Sequence, residues 1–169
     1  MPIVKLYVSF VDGLNEWVGR IFSIVIVPIV LIAVLEVVCR RFFNAPTIWS
    51  FEVLKQLFAL HFMMLAAYGL LHKAHISIDV FTIRLSEKGR ALLDLFCYLI
   101  FFFPFCLIIA KYSYAYAAVS WSSREESWSV FGPPLYPIKS VIVVTFVFLV
   151  LQGISECIKN IYVVKGKEL

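Results

Sequence analysis

The side chains able to do chemistry gather in four places. Glu36, Arg40 and Arg41 precede a turn at Asn44-Ala45-Pro46, and Trp49, Glu52 and Lys55 follow it. His61 stands alone in an apolar run, and His72, His75 and Asp79 lie just beyond that run. Glu125 and Glu126 fall in the polar stretch VSWSSREESWSVFGPPLYP at residues 119–137. Glu36 and Arg40 are four apart, the order in which acid and base pair best on a helix. Glu52 and Lys55 are three apart, and the proline turn folds Arg40 or Arg41 back toward Glu52. This pattern predicts an ion-pair network that fixes a helical hairpin, part of which can face a partner subunit.

Other chemistries find less support. A lone histidine in an apolar helix is more often a hydrogen-bonded packing residue than a ligand, so His61 is read as packing. His75 and Asp79 can pair on a helix, but a metal site needs further ligands and none is in register. The four cysteines, at 39, 97, 106 and 157, form no CxxC and fit no zinc spacing. Three of them lie in apolar runs, where cysteine serves as a small hydrophobe. There is no nucleophile–base constellation and no glycine-rich phosphate loop. No residue is assigned a catalytic, cofactor or metal role. Glu125 and Glu126 are read first as a solvated turn and second as an acidic patch for a periplasmic protein.

The elements that must hold these residues follow from composition. The chain has 169 residues, is 62% hydrophobic and only 15% charged, and its mean hydropathy is +0.93. Polar groups are too few to cover such a chain in water, so a bilayer is the expected solvent. The net charge of +4 suits anionic headgroups. It comes without the basic, aromatic-interleaved stripe that a nucleic acid would need. An all-α membrane protein is expected, in a single domain covering 1–169, with four spans near 17–39, 49–71, 91–118 and 138–158. Twenty-odd residues at about 1.5 Å each cross a core of about 30 Å.

Residues 2–16 place Lys5, Ser9, Asp12 and Glu16 on one face, with Arg20 continuing it. That predicts an interfacial amphipathic helix leading into the first span. No cleavable leader is expected, because a basic patch followed by a short apolar core and a small-residue cleavage site is missing. Pro28 and Pro104 sit inside spans and predict kinks. Ser50 is a candidate N-cap for the second span, and the third helix is expected to begin near Ser86. The 119–137 loop, with Trp121, Trp128 and Phe131, is a further candidate interfacial turn. With the N-terminus in the cytoplasm, nine basic residues fall inside and six outside. The positive-inside rule favours that arrangement, which puts both termini in the cytoplasm. Trp17, Trp49, Trp121 and Trp128 all fall at expected span ends, where an amphipathic ring is best accommodated.

The stretches EVVCRRFFNAPTIWSFEVLKQLF at 36–58 and AAYGLLHKAHISIDVF at 66–81, with Pro137-Ile138-Lys139-Ser140 and Leu151-Gln152-Gly153, carry a resemblance over essentially the whole chain. It resembles the small membrane subunit of the TRAP transporters, the DctQ-type permease component. The resemblance implies a bacterial inner-membrane system driven by a sodium gradient. Its partners would be a large elevator-type membrane subunit and a periplasmic substrate-binding protein. Its substrates would be organic acids of the C4-dicarboxylate, keto acid or sialic acid class. The small subunit is then expected to brace the static scaffold and not to hold substrate. Arg40, Arg41, Trp49, Glu52, His75 and Asp79 become candidates for intersubunit or structural contacts, and Glu125 and Glu126 for contact with the binding protein. The competing class is a small haem- or quinone-linked membrane redox protein using His61 with His72 or His75. Three histidines, two of them near a membrane face, and the absence of a redox CxxC argue against it.

Overall fold

The computed structural model describes residues 2–74 and 85–166. Their helices are α1 (Pro2–Ser23), α2 (Ile26–Phe42), α3 (Ser50–Leu71), α4 (Glu87–Cys97), α5 (Phe103–Ser123) and α6 (Tyr136–Val164). A five-residue π-helical segment, Tyr98–Phe102, joins α4 to α5. The architecture is all-α, and four helical stretches are long and apolar enough to cross a membrane: Ile3–Phe42, Ser50–Leu71, Glu87–Ser123 and Tyr136–Val164.

Both interior prolines act where the sequence places them, through different devices. Pro28 lacks an N–H, and its ring crowds the carbonyl four residues back, Ile24. The chain answers with a turn at Ile24 and Val25, so Pro28 becomes a first-turn residue of α2, where a missing donor costs little. The expected kink is thus a break between two helices, and α1 runs unbroken through Trp17 to Ser23. Pro104 instead crowds Ile100, and that carbonyl lies in the π-helical segment, whose wider turn accommodates the ring.

Helix α6 is the centre of the bundle and packs on α1, α3, α4 and α5, whereas α2 packs principally on α3. Its inward stripe contains Thr145, Leu149, Gln152, Gly153, Ser155, Glu156 and Asn160. A polar inward stripe is what a bilayer selects, since lipid accepts apolar side chains and leaves polar groups to satisfy one another inside the bundle. Ala67, Leu70, Cys106 and Leu149 form the apolar core beside it. Cys106 is 1% exposed and packs as the small hydrophobe expected of it.

Glycine sets two of the closest approaches. A Cβ on Gly19 would stand 2.7 Å from Tyr68 Cβ, and one on Gly153 would stand 2.5 Å from the Phe102 ring. Small residues let helices in lipid reach the contact distance from which they gain dispersion energy.

Candidate functional site

The polar residues settle into three clusters. The first closes the α2–α3 hairpin. Arg40 donates from Nη2 to Glu36 Oε1 at 2.7 Å. The other carboxylate oxygen accepts from the Thr47 hydroxyl, from Thr47 N at 3.2 Å and from Ser50 Oγ at 2.8 Å. Asn44, at φ 50°, turns the chain, and Ala45 N caps Cys39 O at 3.1 Å. Ser50 is therefore not the N-cap that the sequence suggested. Trp49 holds that position without a side-chain bond, and the Ser50 hydroxyl is spent on Glu36 instead.

Glu52 is buried and accepts from Lys55 Nζ at 3.0 Å, the predicted i, i+3 pair. Arg40 goes to Glu36 rather than Glu52. Arg41 is exposed and forms no ion pair among the described residues. His75 and Asp79, with the neighbouring Ile76, Ile78, Val80 and Ile83, lie outside the described residues.

The second cluster joins α1 to α6, and sequence reasoning missed it. Asp12 Oδ1 accepts from Gln152 Nε2 at 3.0 Å and from Ser155 Oγ at 2.8 Å. Lys159 Nζ bridges Asp12 Oδ2 at 2.7 Å and Glu156 Oε1 at 2.6 Å. Asn15 donates to Gln152 Oε1 at 2.7 Å. Gln152 is 0% and Glu156 3% exposed. Tyr7 and Asn15, two turns apart on α1, meet the consecutive residues Leu151 and Gln152 of α6. The sequence places Asp12 on one face with Lys5, Ser9, Glu16 and Arg20, the polar side of an expected interfacial helix. The error is one of helix rotation: α1 buries Val8, Val11, Asn15 and Val18 and presents Ile3, Leu6, Phe10 and Trp17 outward, so it is apolar on two sides. The signal available beforehand was the spacing of Gln152, Glu156 and Lys159 within an apolar span, which marks an inward polar stripe. At the same end of the bundle, Glu16 accepts from Arg20 Nη2 at 2.8 Å and contacts His72 Nε2 at 2.6 Å.

The third cluster holds the α5–α6 connection. Lys139, buried at the start of α6, pairs with Glu125 and lies 3.9 Å from the centroid of the Tyr116 ring. The Lys139 ammonium bonded to it holds the Glu125 carboxyl below its ordinary value. Leu135 N donates to Glu125 O at 2.9 Å, and Ser127 N to Pro133 O at 3.0 Å. Gln56 Nε2 reaches Pro134 O at 3.1 Å, tying the connection to α3. Glu125 is thus engaged within the chain. Glu126 is exposed and takes part in a backbone bridge with Pro134. Trp128 projects fully into the surroundings.

His61 packs as read from the sequence. Its Nδ1 stands 2.9 Å from Phe22 O, a carbonyl beside the α1–α2 break.

Four apolar helical stretches and an inward polar stripe define a multi-pass membrane protein. A family model matches residues 29–162, and the chain belongs to that family, the DctQ component of the tripartite ATP-independent periplasmic transporters. The chain is also similar to the sialic acid TRAP transporter permease protein SiaT of Haemophilus influenzae (strain 86-028NP), at 31% identity over 101 residues. That match covers 60% of this chain and 16% of the relative, so the chain corresponds to a small part of that relative's length.

Proposed function

We propose that the chain is the small membrane subunit of a sodium-driven tripartite transporter for an organic acid of the C4-dicarboxylate, keto acid or sialic acid class. It braces the static scaffold of a large elevator-type subunit and works with a periplasmic binding protein. It sits in the bacterial inner membrane with both termini in the cytoplasm. The observation that carries this reading is the family match, which takes in all of α3, α4 and α5 and nearly all of α2 and α6. The name of the relative supports a sialic acid as one candidate substrate.

The physical fit is that of a brace. An elevator needs a part that stays still while another slides, and resistance to sliding comes from cross-links between helices. This chain supplies them at both ends: Glu36 and Lys139 at one, and Lys159 at the other. Tryptophans such as Trp17 and Trp121 are exposed, as interfacial anchors must be.

The test is co-expression with the large subunit and the binding protein, followed by purification and reconstitution in proteoliposomes. The three together should take up the organic acid on an imposed sodium gradient, and this chain alone should take up none. Uptake by the isolated chain, or failure of the large subunit to co-purify, overturns the reading.

A further inference from the structure

Among the described residues, a ring nitrogen midway along α3 meets no hydrogen-bond donor. The carbonyl of Phe22 can only accept, so the hydrogen of the 2.9 Å contact belongs to His61 Nδ1. In the neutral ring Nε2 is then a bare acceptor, and among the described residues nothing donates to it. His61 is the twelfth of the 22 residues of α3, about 16 Å from either end, so headgroups do not reach it. Acyl chains carry no donor. The orphaned side-chain oxygens Asn15 Oδ1, Ser120 Oγ and Thr145 Oγ1 are instead sealed inside the bundle, out of reach of another chain. His61 differs in lining an open groove, with Phe62, Leu65 and Ala66 as its apolar walls.

We propose that this groove seats a transmembrane helix of the large partner subunit, which places a hydroxyl or amide donor on His61 Nε2 between the side chains of Phe62 and Leu65. The assignment rests on the function proposed above and names the surface through which it is exercised. The occupant follows from hydrogen-bond complementarity at depth. An acceptor in the hydrocarbon core is met only by a donor carried there on another helix, because an irregular segment cannot enter lipid with its backbone unsatisfied. Phe62 is exposed, so an incoming helix meets an aromatic wall beside the single polar contact.

The experiment uses the assembled complex in native membranes, with a benzophenone-bearing phenylalanine replacing Phe62. Irradiation should give an adduct with the large subunit, mapped by mass spectrometry to one of its membrane-spanning segments. Adducts with lipid alone, or with a second copy of this chain, overturn the proposal. His61→Asn and His61→Gln give an independent reading. The asparagine amide stands where Nδ1 stands and keeps the bond to Phe22 O, but nothing replaces Nε2. The glutamine amide reaches the Nε2 position. His61→Asn should reduce retention of the large subunit in a detergent titration by about three- to twentyfold, the range for one interhelical hydrogen bond in membranes. His61→Gln should retain more than His61→Asn, and equal or reversed retention overturns the assignment. If the unaltered complex does not form, the functional reading itself fails; if it forms and the cross-link goes elsewhere, only the groove assignment fails.

Discussion

Replacing Lys159 by methionine is the sharpest perturbation of the bundle. The ammonium stands 2.7 Å from Asp12 Oδ2 and 2.6 Å from Glu156 Oε1, and it is the cation that holds the two carboxylates together. Methionine keeps the length and apolar stem of the side chain, so little packing is lost. What remains is a pair of carboxylates joined through Gln152 Nε2, which donates to both. The Glu156 side chain is 4% exposed and the Asp12 side chain 25%, so neither is well hydrated. Removing one partner of a buried pair costs about 3–5 kcal/mol. With Asp12 partly open to water, about 2–3 kcal/mol is expected, a fall in Tm of roughly 5–10 °C for a chain of this size. Thermal unfolding in detergent, followed by size-exclusion fluorescence, reads this directly. The double variant Lys159→Met with Asp12→Asn should recover at least about 1 kcal/mol relative to the sum of the single changes, because one unpaired charge has gone. An unchanged Tm in the single variant, or strict additivity in the double, would refute the view that this cluster clamps α1 to α6.

Gly153→Ala should destabilise by about 1–3 kcal/mol, since its Cβ would stand 2.5 Å from the Phe102 ring, and Phe102→Leu should recover part of that loss in the same assay. Glu36→Gln should loosen the α2–α3 hairpin, because the carboxylate accepts from Arg40, Thr47 and Ser50; cleavage by added protease within residues 43–49 should accelerate severalfold, and an unchanged rate removes Glu36 as the clasp. The depressed carboxyl of Glu125 sets a pH dependence of definite sign. Its contribution is fully present above the ordinary value of 4.5 and is lost as pH falls through the lower value of the folded state. The advantage in Tm of the unaltered chain over Glu125→Gln should therefore be constant above about pH 5 and shrink below it, and an advantage that persists unchanged into strong acid contradicts the Lys139 pairing.

Contacts within one helix could be read from spacing alone. Glu36 with Arg40, and Glu52 with Lys55, are three or four residues apart and pair as helix geometry dictates. The start of the third helix near Ser86 was legible too, and the structure adds that the Ser86 side chain caps it by accepting from Gly89 N. The polar partners of Asp12 were not legible, because they lie 140 to 147 residues away and depend on the rotation of α1 about its axis. A helix with apolar residues on two sides does not declare which side is buried. Ser50 was misread as a cap because a hydroxyl at a helix start satisfies either a backbone donor or a nearby carboxylate, and only the folded turn brings Glu36 within 2.8 Å.

The sequence by itself determined the solvent, the all-α class, the four apolar stretches and the family, because these follow from hydropathy summed over long windows and from contiguous motifs. Tertiary structure alone decided that α6 is the central helix and that Lys159 joins α1 to it. It also decided that Glu125 belongs to Lys139 and that, among the described residues, no donor meets the second ring nitrogen of His61 on its open face. The physical reason is the same in each case. Burial in lipid is a property of composition, whereas the satisfaction of a polar group inside lipid depends on which distant residue the packing brings within hydrogen-bond reach.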